Sequence, residues 1–423
     1  MVEYLLNGCE KSVKKFGTPQ YVLVERDLKK RIDKLRKSFQ NTDQRVNFYY
    51  PYKTNDLPHL CKIIHDKKMG AEVSSHFELK LALKLGARKI IFNGPQKSKE
   101  AINLSMENNE RVTLIIDSLS ELKQIEGMNI KKLELGIRLN LKSNKGKKWN
   151  KFGIEPNKII ENDIINRIDN IRGLHFHIGS EIENPKIFEK ATKEVGSLIK
   201  KLDRTERKRI EFIDLGGGFA SSGYKKRSIV EIIESLSNKE IPYLDKFTND
   251  EVKNDLEIED FSREIISSIT KNISSINEME KVQIYLEPGR WLVNNCVHFL
   301  TQVKHKKKNN VILDSGINLI PHIIFEKHPI YNLSQYGEGE IKKRLYGNLC
   351  MAKDLIGRSL RGEDIEEGDI ILIKNIGAYS ISESKQFIKP KAKVVSLGKE
   401  GNKIVRREES FEDRYKRDFK FLS

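Results

Sequence analysis

Short apolar runs alternate with amphipathic stretches from about residue 45 to residue 290. The runs have the length of strands, and the stretches between them repeat apolar residues at the spacing of one helix face. Strand, helix, strand in this order predicts a parallel sheet covered by helices, and eight such units would close a (β/α)8 barrel. The strand-like runs are Val46–Tyr50, Ile90–Phe92, Val112–Ile116, Leu133–Leu139, Gly173–Ile178, Ile210–Leu215 and Val282–Leu286. The helical stretches include Phe77–Leu85, Leu119–Ile125 and Phe188–Leu202.

The pattern changes after Arg290, where strand-like runs alternate with turn residues and predict a mainly β domain. These runs are Asn310–Leu313, Asp369–Ile373 and Lys391–Ser396. Pro19–Leu23 is also strand-like, so we expect the first residues of the chain to join this domain. The predicted fold class is α/β, with a TIM-like barrel over residues 30–290 and a mainly β domain made of residues 1–29 and 291–423.

The stretch from about Ser221 to Asp260 interrupts the barrel pattern, because it is polar, charged and rich in turn residues. Segments of this composition run over protein surfaces. We therefore predict a surface insertion between two elements of the barrel.

Composition limits the class of protein. The chain has 423 residues, of which 38% are hydrophobic and 32% charged, which is typical of a globular protein of about two domains. It has no run of 18 or more apolar residues, and its first residues lack a basic segment followed by a long apolar one. We therefore expect neither a membrane span nor a secretory signal. The cysteines, Cys9, Cys61, Cys296 and Cys350, are far apart, which argues against a zinc site and a disulfide framework and favours the reducing cytoplasm.

The formal net charge of +17 would suit a polyanionic partner. Lysine is nevertheless spread along the chain, and the densest run, Lys304 to Lys308, is short and is predicted to be a loop. Basic residues do not alternate with aromatic ones as they do in nucleic-acid-binding segments. We attribute the charge to compositional bias, and we expect no nucleic-acid partner and no membrane partner.

Lys53 ends an aromatic run, Phe48–Tyr52, that reads as a buried strand. An ammonium group at the end of such a strand is costly to bury unless it is paired or functional. Desolvation lowers the pKa of a lysine and makes its amine a usable nucleophile, as in Schiff-base enzymes. The alternative is a lysine without a catalytic role, whose long side chain simply extends its ammonium group into water at the strand end.

Two further groups follow strand-like runs. Asp214 and Leu215 precede three glycines, Gly216–Gly218, whose amides could approach a phosphate closely, although an ordinary turn would look the same. Glu287 and Arg290 follow the run Val282–Leu286. They either form a structural ion pair or contact opposite ends of one small ligand. Arginine suits a phosphate, and a carboxylate suits a protonated ring nitrogen.

His175 and His177 alternate along a predicted strand and should therefore face the same side. Two histidines could bind a metal ion, but a third ligand of suitable spacing does not follow them in the sequence. Stacking of one imidazole on a planar cofactor is the better functional interpretation, and we predict no metal site.

A lysine amine, a phosphate cradle, an acid for a ring nitrogen and a stacking imidazole together describe a pyridoxal 5'-phosphate site. The chain resembles the fold type III pyridoxal-phosphate decarboxylases, a group with diaminopimelate, ornithine and arginine decarboxylases. The resemblance covers nearly the whole chain. It is carried by Gly17–Pro19, Tyr52–Asn55, Glu72–Ser75, Asn93–Lys97, Lys151–Gly153, His175–Ser180, Gly216–Gly218, Glu287–Arg290, Cys350 with Asp354, and Gly377–Tyr379.

The resemblance implies a barrel of the alanine racemase type and a role for each matching residue. Lys53 would form the Schiff base with the cofactor, His177 would stack on its ring, and Glu287 would pair with its pyridine nitrogen. Arg138 and Glu78 would support the site. The phosphate would be held by Gly216, Gly217, Gly218, Arg290 and Ser180.

The resemblance also implies a head-to-tail homodimer with shared active sites. Cys350 and Tyr379 would reach each site from the partner subunit. Lys151 and Asp354 would pair across the interface. The implied reaction is the α-decarboxylation of an amino acid or of an amino-acid conjugate.

Two departures from the family pattern concern the substrate. Diaminopimelate decarboxylases place an arginine after the strand that matches Val311–Asp314, whereas residues 314–343 contain no arginine here. The family also places an acid directly after the cysteine, where this chain has Met351. A substrate with a charged far end would find neither the arginine nor the acid in this chain. Diaminopimelate and ornithine are therefore doubtful as substrates. His322 lies roughly where the missing arginine falls.

Two other functions fit parts of the pattern. An amino-acid racemase could use the same barrel, but racemases of this type place an arginine where this chain has Glu287. A regulatory relative without cofactor would not need Lys53, Glu287 and Cys350.

Overall fold

The computed structural model describes residues 2–40, 42–128, 130, 132–141, 151–236, 257–419 and 421. These residues form two compact units. One unit holds the described parts of Arg31–Ala220 and Asp255–Trp291, and the other holds those of Met1–Lys30, Ser221–Asn254 and Leu292–Ser423. Within the described ranges, we find no helix with both the length and the apolar character that crossing a membrane requires.

The first unit is a closed barrel of eight parallel strands, in which each strand pairs with the next barrel strand along the chain and the last pairs with the first. This confirms the predicted (β/α)8 barrel. Seven of the strands fall on the predicted runs, and the eighth, β3, was not predicted. The strands are β2 (Val46–Pro51), β3 (Gly70–Val73), β4 (Ile90–Phe92), β5 (Val112–Ile116), β6 (Glu134–Arg138), β7 (Ile171–His175), β8 (Phe212–Asp214) and β10 (Gln283–Leu286).

The helices of the barrel follow its strands, and several begin at a serine. Ser75, Ser98 and Ser118 directly precede three of these helices, and each side chain accepts a hydrogen bond from the amide three residues later. This bond satisfies a donor that the helix itself leaves unpaired. The helices of the barrel unit are α3 (Pro58–Asp66), α4 (His76–Lys84), α5 (Lys99–Glu107), α6 (Leu119–Glu126), α7 (Pro156–Glu161), α8 (Ile164–Arg167), α9 (Ile187–Ile199), α10 (Arg204–Arg209) and α12 (Ile258–Ile269). The boundary between the two units falls within α2 (Glu25–Ser38) and within α13 (Arg290–Val293).

Aromatic rings fill the interior of the barrel. The ring of Phe212 stacks on Tyr285 at a centroid distance of 4.6 Å and an angle of 7°. Gly173 leaves room for this ring, because a Cβ there would lie 2.3 Å from Phe212. The interior is therefore a packed core, and functional groups can collect only at the ends of the strands.

The second unit is built on an 11-stranded sheet whose main order is β15-β18-β14-β19-β11-β1-β20-β21. The N-terminal strand β1 lies between β11 and β20, so the first residues of the chain are part of this unit. Its strands are β1 (Gln20–Val24), β9 (Lys225–Lys226), β11 (Val297–Lys307), β12 (Asn310–Leu313), β13 (Glu326–Lys327), β14 (Ile330–Asn332), β15 (Glu340–Ile341), β16 (Arg344–Tyr346), β17 (Leu355–Gly357), β18 (Leu360–Arg361), β19 (Ile370–Ile373), β20 (Lys393–Gly398) and β21 (Gly401–Arg406). Its helices are α1 (Val2–Phe16), α11 (Ile229–Leu236) and α14 (Phe411–Phe419).

Two details differ from the sequence analysis. The basic run from Lys304 was predicted to be a loop, but β11 continues to Lys307 because β12 pairs with it there. Residues 221–236 lie in the β unit, where β9 pairs with β13 and Asn375 donates a hydrogen bond to the carbonyl of Gly223 at 2.9 Å. The rest of the predicted insertion, residues 237–256, lies outside the described residues.

Candidate active site

Lys53 lies just beyond β2, in a short 3-10 turn of residues Tyr52–Thr54. Its Nζ donates a hydrogen bond to Oε2 of Glu72 at 2.9 Å, and Glu72 is completely buried. The hydroxyl of Ser74 donates to the other oxygen of Glu72 at 3.0 Å. The lysine side chain itself is 48% exposed. The sequence argument expected a desolvated lysine, but Lys53 is solvent-accessible and is held by a buried anion.

Three glycines form a tight turn after β8. Gly216 and Gly218 have φ angles of 66° and 90°, which favour glycine. A Cβ on Gly217 would lie 2.0 Å from the carbonyl oxygen of Glu287. The amide of Gly216 donates to Oδ1 of Asp214 at 2.9 Å. The structure thus shows a close approach between this turn and the end of β10, and the phosphate contacts of the glycines stay a prediction.

Glu287 is buried directly after β10, with 4% of its surface exposed. Its Oε1 accepts a hydrogen bond from Nδ2 of Asn93 at 2.8 Å and lies 3.4 Å from Nε2 of His175. Burial, aided by the charge of Arg138, holds the pKa of His175 well below its usual range. His175 is therefore neutral, and its contact with Glu287 is not an ion pair.

His177 was predicted to lie on a strand with His175, but β7 ends at His175 and His177 lies in the following loop. Burial, with a further effect of the charge of Lys53, lowers the pKa of His177 to about 3, so the imidazole is neutral. Its Nδ1 accepts a hydrogen bond from the amide of Gly217 at 3.2 Å, which places the ring proton on Nε2. A neutral ring held in this way is suited to stacking on a planar group.

Arg290, the first residue of α13, follows β10 in the same unit as Lys53. Its Nε lies 3.7 Å from Oε1 of Glu181, and both side chains are 11% exposed. Glu181 has a φ of 53°, an uncommon conformation for a residue with a side chain. Ser180, the neighbouring residue, is exposed. Arg290 and the exposed hydroxyl of Ser180 are each of a kind that suits an anionic ligand.

Arg138 and Glu78 were predicted to support the site. Arg138 ends β6, where its guanidinium lies 4.5 Å above the ring of Phe152 and 3.6 Å from Oδ1 of Asp117. The carboxylate of Glu78 accepts a hydrogen bond from the amide of Ser74 at 2.6 Å. Burial raises the pKa of Glu78 to about 7, against the effect of this hydrogen bond.

Cys350 and Tyr379 belong to the β unit. The thiol of Cys350 is exposed, and its loop is tied to the unit by Asp354, which is 1% exposed and accepts hydrogen bonds from the amides of Ile317 and Leu349 at 2.8 Å each. Tyr379 has a φ of 65°. The roles predicted for Cys350 and Tyr379, and the pairing of Lys151 with Asp354, stay predictions.

Sequence reasoning gave no role to four buried polar residues at the strand ends: Glu72, Asn93, Asp214 and His175. Each is 3% exposed or less. Asp214, His175 and Glu287 offer oxygen and nitrogen atoms that all lie within 4.8 Å of one another. The spacing of one strand cannot reveal such a group, because its members come from three different strands. The available signal was a polar residue within or directly after an apolar run. Burying a polar side chain there costs free energy unless it has a hydrogen-bond partner, so such a residue points to a specific role.

These residues fit a planar cofactor with a phosphate and a ring nitrogen. A lysine, a neutral imidazole, an arginine and a buried carboxylate converge at one end of the barrel. Buried atoms in the same place lack a hydrogen-bond partner among the described residues, namely Asn93 Oδ1 and His175 Nδ1. Polar atoms left in this way mark a site built for a further group. Pyridoxal phosphate bound there supplies the electron sink that accepts the electron pair left when CO2 departs.

Comparison with known proteins identifies the family. Residues 25–294 match the model of the pyridoxal-dependent decarboxylase family, pyridoxal binding domain. The chain is 28% identical to the diaminopimelate decarboxylase of Methanocaldococcus jannaschii, over 96% of this chain and 92% of that protein. It is 26% identical to the diaminopimelate decarboxylase of Campylobacter jejuni, over 96% and 97%. The crystal structure of the Methanocaldococcus jannaschii enzyme with L-lysine superimposes with a TM-score of 0.80, at 27% identity and over 96% of this chain and 93% of that one. The chain belongs to the pyridoxal-dependent decarboxylase family, and it is a pyridoxal-phosphate-dependent amino-acid decarboxylase.

Proposed function

We propose that this enzyme removes the α-carboxyl group of an amino acid or amino-acid conjugate whose far end differs from that of diaminopimelate. The observation that carries the proposal is that Lys53 and the buried acid Glu287 both lie at the carboxyl end of the barrel strands. Lys53 provides the amine that binds the cofactor. Glu287 keeps the ring nitrogen protonated, which stabilises negative charge at Cα after CO2 has left.

The remaining barrel residues bind and orient the cofactor. His177 presents a neutral ring for stacking. Gly216, Gly217 and Gly218 allow the backbone to approach closely, and Arg290 and Ser180 offer charge and a hydroxyl to the phosphate. Arg138 and Glu78 hold the surrounding loops. Glu72 fixes the position of Lys53 through the 2.9 Å hydrogen bond.

Glu287 favours decarboxylation over racemisation. A buried carboxylate at the ring nitrogen strengthens the electron sink, whereas an arginine in that place weakens it. The family match and the retained Lys53 also argue against a regulatory protein without cofactor.

The active unit is proposed to be a head-to-tail homodimer in which Cys350 and Tyr379 complete the site of the partner. The exposure of Cys350 supports this role, because a donated side chain must be accessible on its own subunit. The thiol would deliver a proton at Cα once CO2 has left. All four cysteines are free, which supports a location in the reducing cytoplasm.

The surroundings of His322 support a change in the far end of the substrate. His322 stacks on Tyr379 at 5.2 Å and 25°. Its Nε2 lies 3.1 Å from Glu383 and its Nδ1 lies 3.4 Å from Glu326. These two carboxylates raise the pKa of His322 against the effect of burial. Any positive charge on His322 is thus already matched by two carboxylates, and His322 is a poor substitute for the arginine that binds a distal carboxylate.

Met351 supports the same conclusion. It is 38% exposed beside Cys350 and offers an apolar thioether where the family has an acid. A distal ammonium would therefore find no charge at this position. A larger, neutral or differently charged far end fits both Met351 and His322 better.

Diaminopimelate itself is the second candidate, because the relatives named above act on it and cover almost the whole chain. The test is kcat/KM for meso-diaminopimelate, lysine, ornithine, arginine and a set of citryl, peptidyl and carrier-linked conjugates. We expect diaminopimelate to fall well below about 10⁴ M⁻¹s⁻¹, the ordinary range of a cognate substrate, and one of the other compounds to reach it. Met351→Glu should raise activity on diaminopimelate relative to Met351→Gln, which adds a polar group without charge. A cognate-level value for diaminopimelate in the unaltered enzyme would support the second candidate instead.

A further inference from the structure

Asp214 is a buried acid that the proposed function does not use. It ends β8 and is completely buried. Its Oδ1 accepts a hydrogen bond from the amide of Gly216 at 2.9 Å. Its Oδ2 is also buried and has no hydrogen-bond partner among the described residues. One oxygen of this carboxyl group therefore supports the glycine turn, and the other receives no hydrogen bond from a described donor.

The second acid of the site is close to this carboxyl group. A carboxyl oxygen of Asp214 and one of Glu287 lie within 4.8 Å of each other and of a ring nitrogen of His175. Glu287 is 4% exposed. Two ionised carboxylates in such dry surroundings repel each other, so one of the pair retains its proton. An O–H group between them would also convert two facing acceptors into a donor and an acceptor.

The surroundings decide which acid holds the proton. Glu287 already accepts a hydrogen bond from Asn93 at 2.8 Å, so it acts as an acceptor in this cluster. Burial raises the pKa of Asp214 well above its usual range, the charge of Glu287 raises it further, and that of Glu72 adds to the effect. The hydrogen bond from Gly216 acts in the opposite direction and is weaker than burial.

The other titratable groups around the pair do not reverse this order. His175 is neutral, because burial and the charge of Arg138 lower its pKa. The phenol of Tyr285 packs nearby, and burial raises its pKa to about 12, so it is neutral as well. Burial likewise raises the pKa of Tyr49 well above its usual range. Lys53 is paired with Glu72 at 2.9 Å.

We propose that Asp214 is a positioning residue that stands protonated and donates its O–H to Glu287. This hydrogen bond would keep Glu287 ionised and aim its free oxygen at the ring nitrogen of the cofactor. A hydrogen bond to an ionised carboxylate is stronger than one between neutral groups. The inference rests on the proposed role of Glu287, and it adds Asp214 as the residue that orients Glu287 for this role.

Infrared spectroscopy of the full chain without cofactor tests the proton directly. At pH 8 the spectrum should contain the carbonyl band of a buried, protonated carboxylic acid. Asp214→Asn should remove this band, and Ile213→Val, a buried change on the same strand that does not titrate, should keep it. Recording both in a Glu78→Gln background removes a second carboxyl group, that of Glu78, whose pKa is raised to about 7 by burial. A missing band, or a band that survives Asp214→Asn, overturns the proposal.

The loaded enzyme tests the positioning. Asn at position 214 keeps a donor for Glu287 and an acceptor for Gly216, so Asp214→Asn should retain kcat and KM within about threefold. Asp214→Ala removes the donor and should lower kcat at least tenfold, with KM within about threefold. It should also move the ¹⁵N resonance of the labelled cofactor ring toward that of an unprotonated pyridine. Equal losses in the Asn and Ala variants would show that the negative charge of Asp214 is needed, which contradicts the proposal. An enzyme without activity on any amino acid would refute the proposed function, and the infrared result would still decide the state of the acid pair.

Discussion

Glu78 offers a quantitative test of the electrostatics at the barrel mouth. Burial raises the pKa of its carboxyl group from an ordinary 4.5 to about 7. In the unaltered protein, the carboxylate of Glu78 accepts a hydrogen bond from the amide of Ser74 at 2.6 Å. Glu78→Gln removes the titration and keeps an oxygen that can accept this hydrogen bond. The variant therefore changes the charge while leaving the local geometry in place.

The sign of the effect follows from the direction of the pKa shift. The folded protein binds this proton more tightly than the unfolded chain, so its contribution to stability is fully present below pH 4.5 and is lost as the pH rises through 7. Each pH unit in that interval changes the free energy of unfolding by about 1.4 kcal/mol. Across the interval, the unaltered protein should lose roughly 3 kcal/mol relative to Glu78→Gln.

The assay is urea unfolding of the cofactor-free chain, followed by circular dichroism at half-unit steps from pH 4.5 to 8.5. The difference between the variant and the unaltered protein should grow up to about pH 7 and then stay constant. Ala82→Gly is the control, because this buried change in the same helix does not titrate and should cost about 1 kcal/mol at every pH. A difference that does not depend on pH, or that shrinks as the pH rises, would refute the reasoning.

Three further predictions concern the site. Glu287→Gln should lower kcat by about 10²-fold or more, because it removes one preorganised electrostatic partner, while cofactor affinity stays nearly unchanged; an unchanged kcat would exclude the role. Gly217→Ala should weaken cofactor binding at least tenfold in a fluorescence titration, because its Cβ would lie 2.0 Å from the carbonyl oxygen of Glu287, whereas Gly127→Ala, with its nearest atom at 3.7 Å, should bind as the unaltered chain does. Mixing Lys53→Ala and Cys350→Ala chains should restore partial activity, because one hybrid site carries neither lesion; no recovery despite demonstrated subunit exchange would refute shared sites.

The strands of the barrel could be predicted from the sequence because most of them are continuous apolar runs. The structure has β4 and β5 at the predicted limits and extends β2 by one residue. It shortens β6, β8 and β10 by one to three residues in all, and it shifts β7 by two to three residues toward the N-terminus. The strand β3, Gly70–Val73, was missed. It is short, begins with a glycine and contains the buried Glu72, so its local pattern does not resemble that of a buried strand.

The environment of the site could be predicted only in part. Lys53, Glu287 and the glycine turn follow their strands directly and could be found one segment at a time. The partnership of Lys53 with Glu72 and the cluster of Asp214 with Glu287 depend on which strands are neighbours in the closed barrel. A single sequence does not state that order, and it therefore led us to expect a desolvated lysine where the structure has an exposed and paired one.

The most direct test of the central claim is the fate of Cα when the enzyme acts in D2O. The enzyme loaded with pyridoxal phosphate is incubated with its best substrate from the panel, and the product is examined by NMR while CO2 is collected. We predict one CO2 per amine formed, a single deuterium at Cα of that amine, and loss of both signals in Lys53→Ala. Recovery of the intact amino acid, deuterated at Cα and racemised, would contradict the account and identify a racemase. Turnover that is unaffected by Lys53→Ala or by removal of the cofactor would contradict it as well.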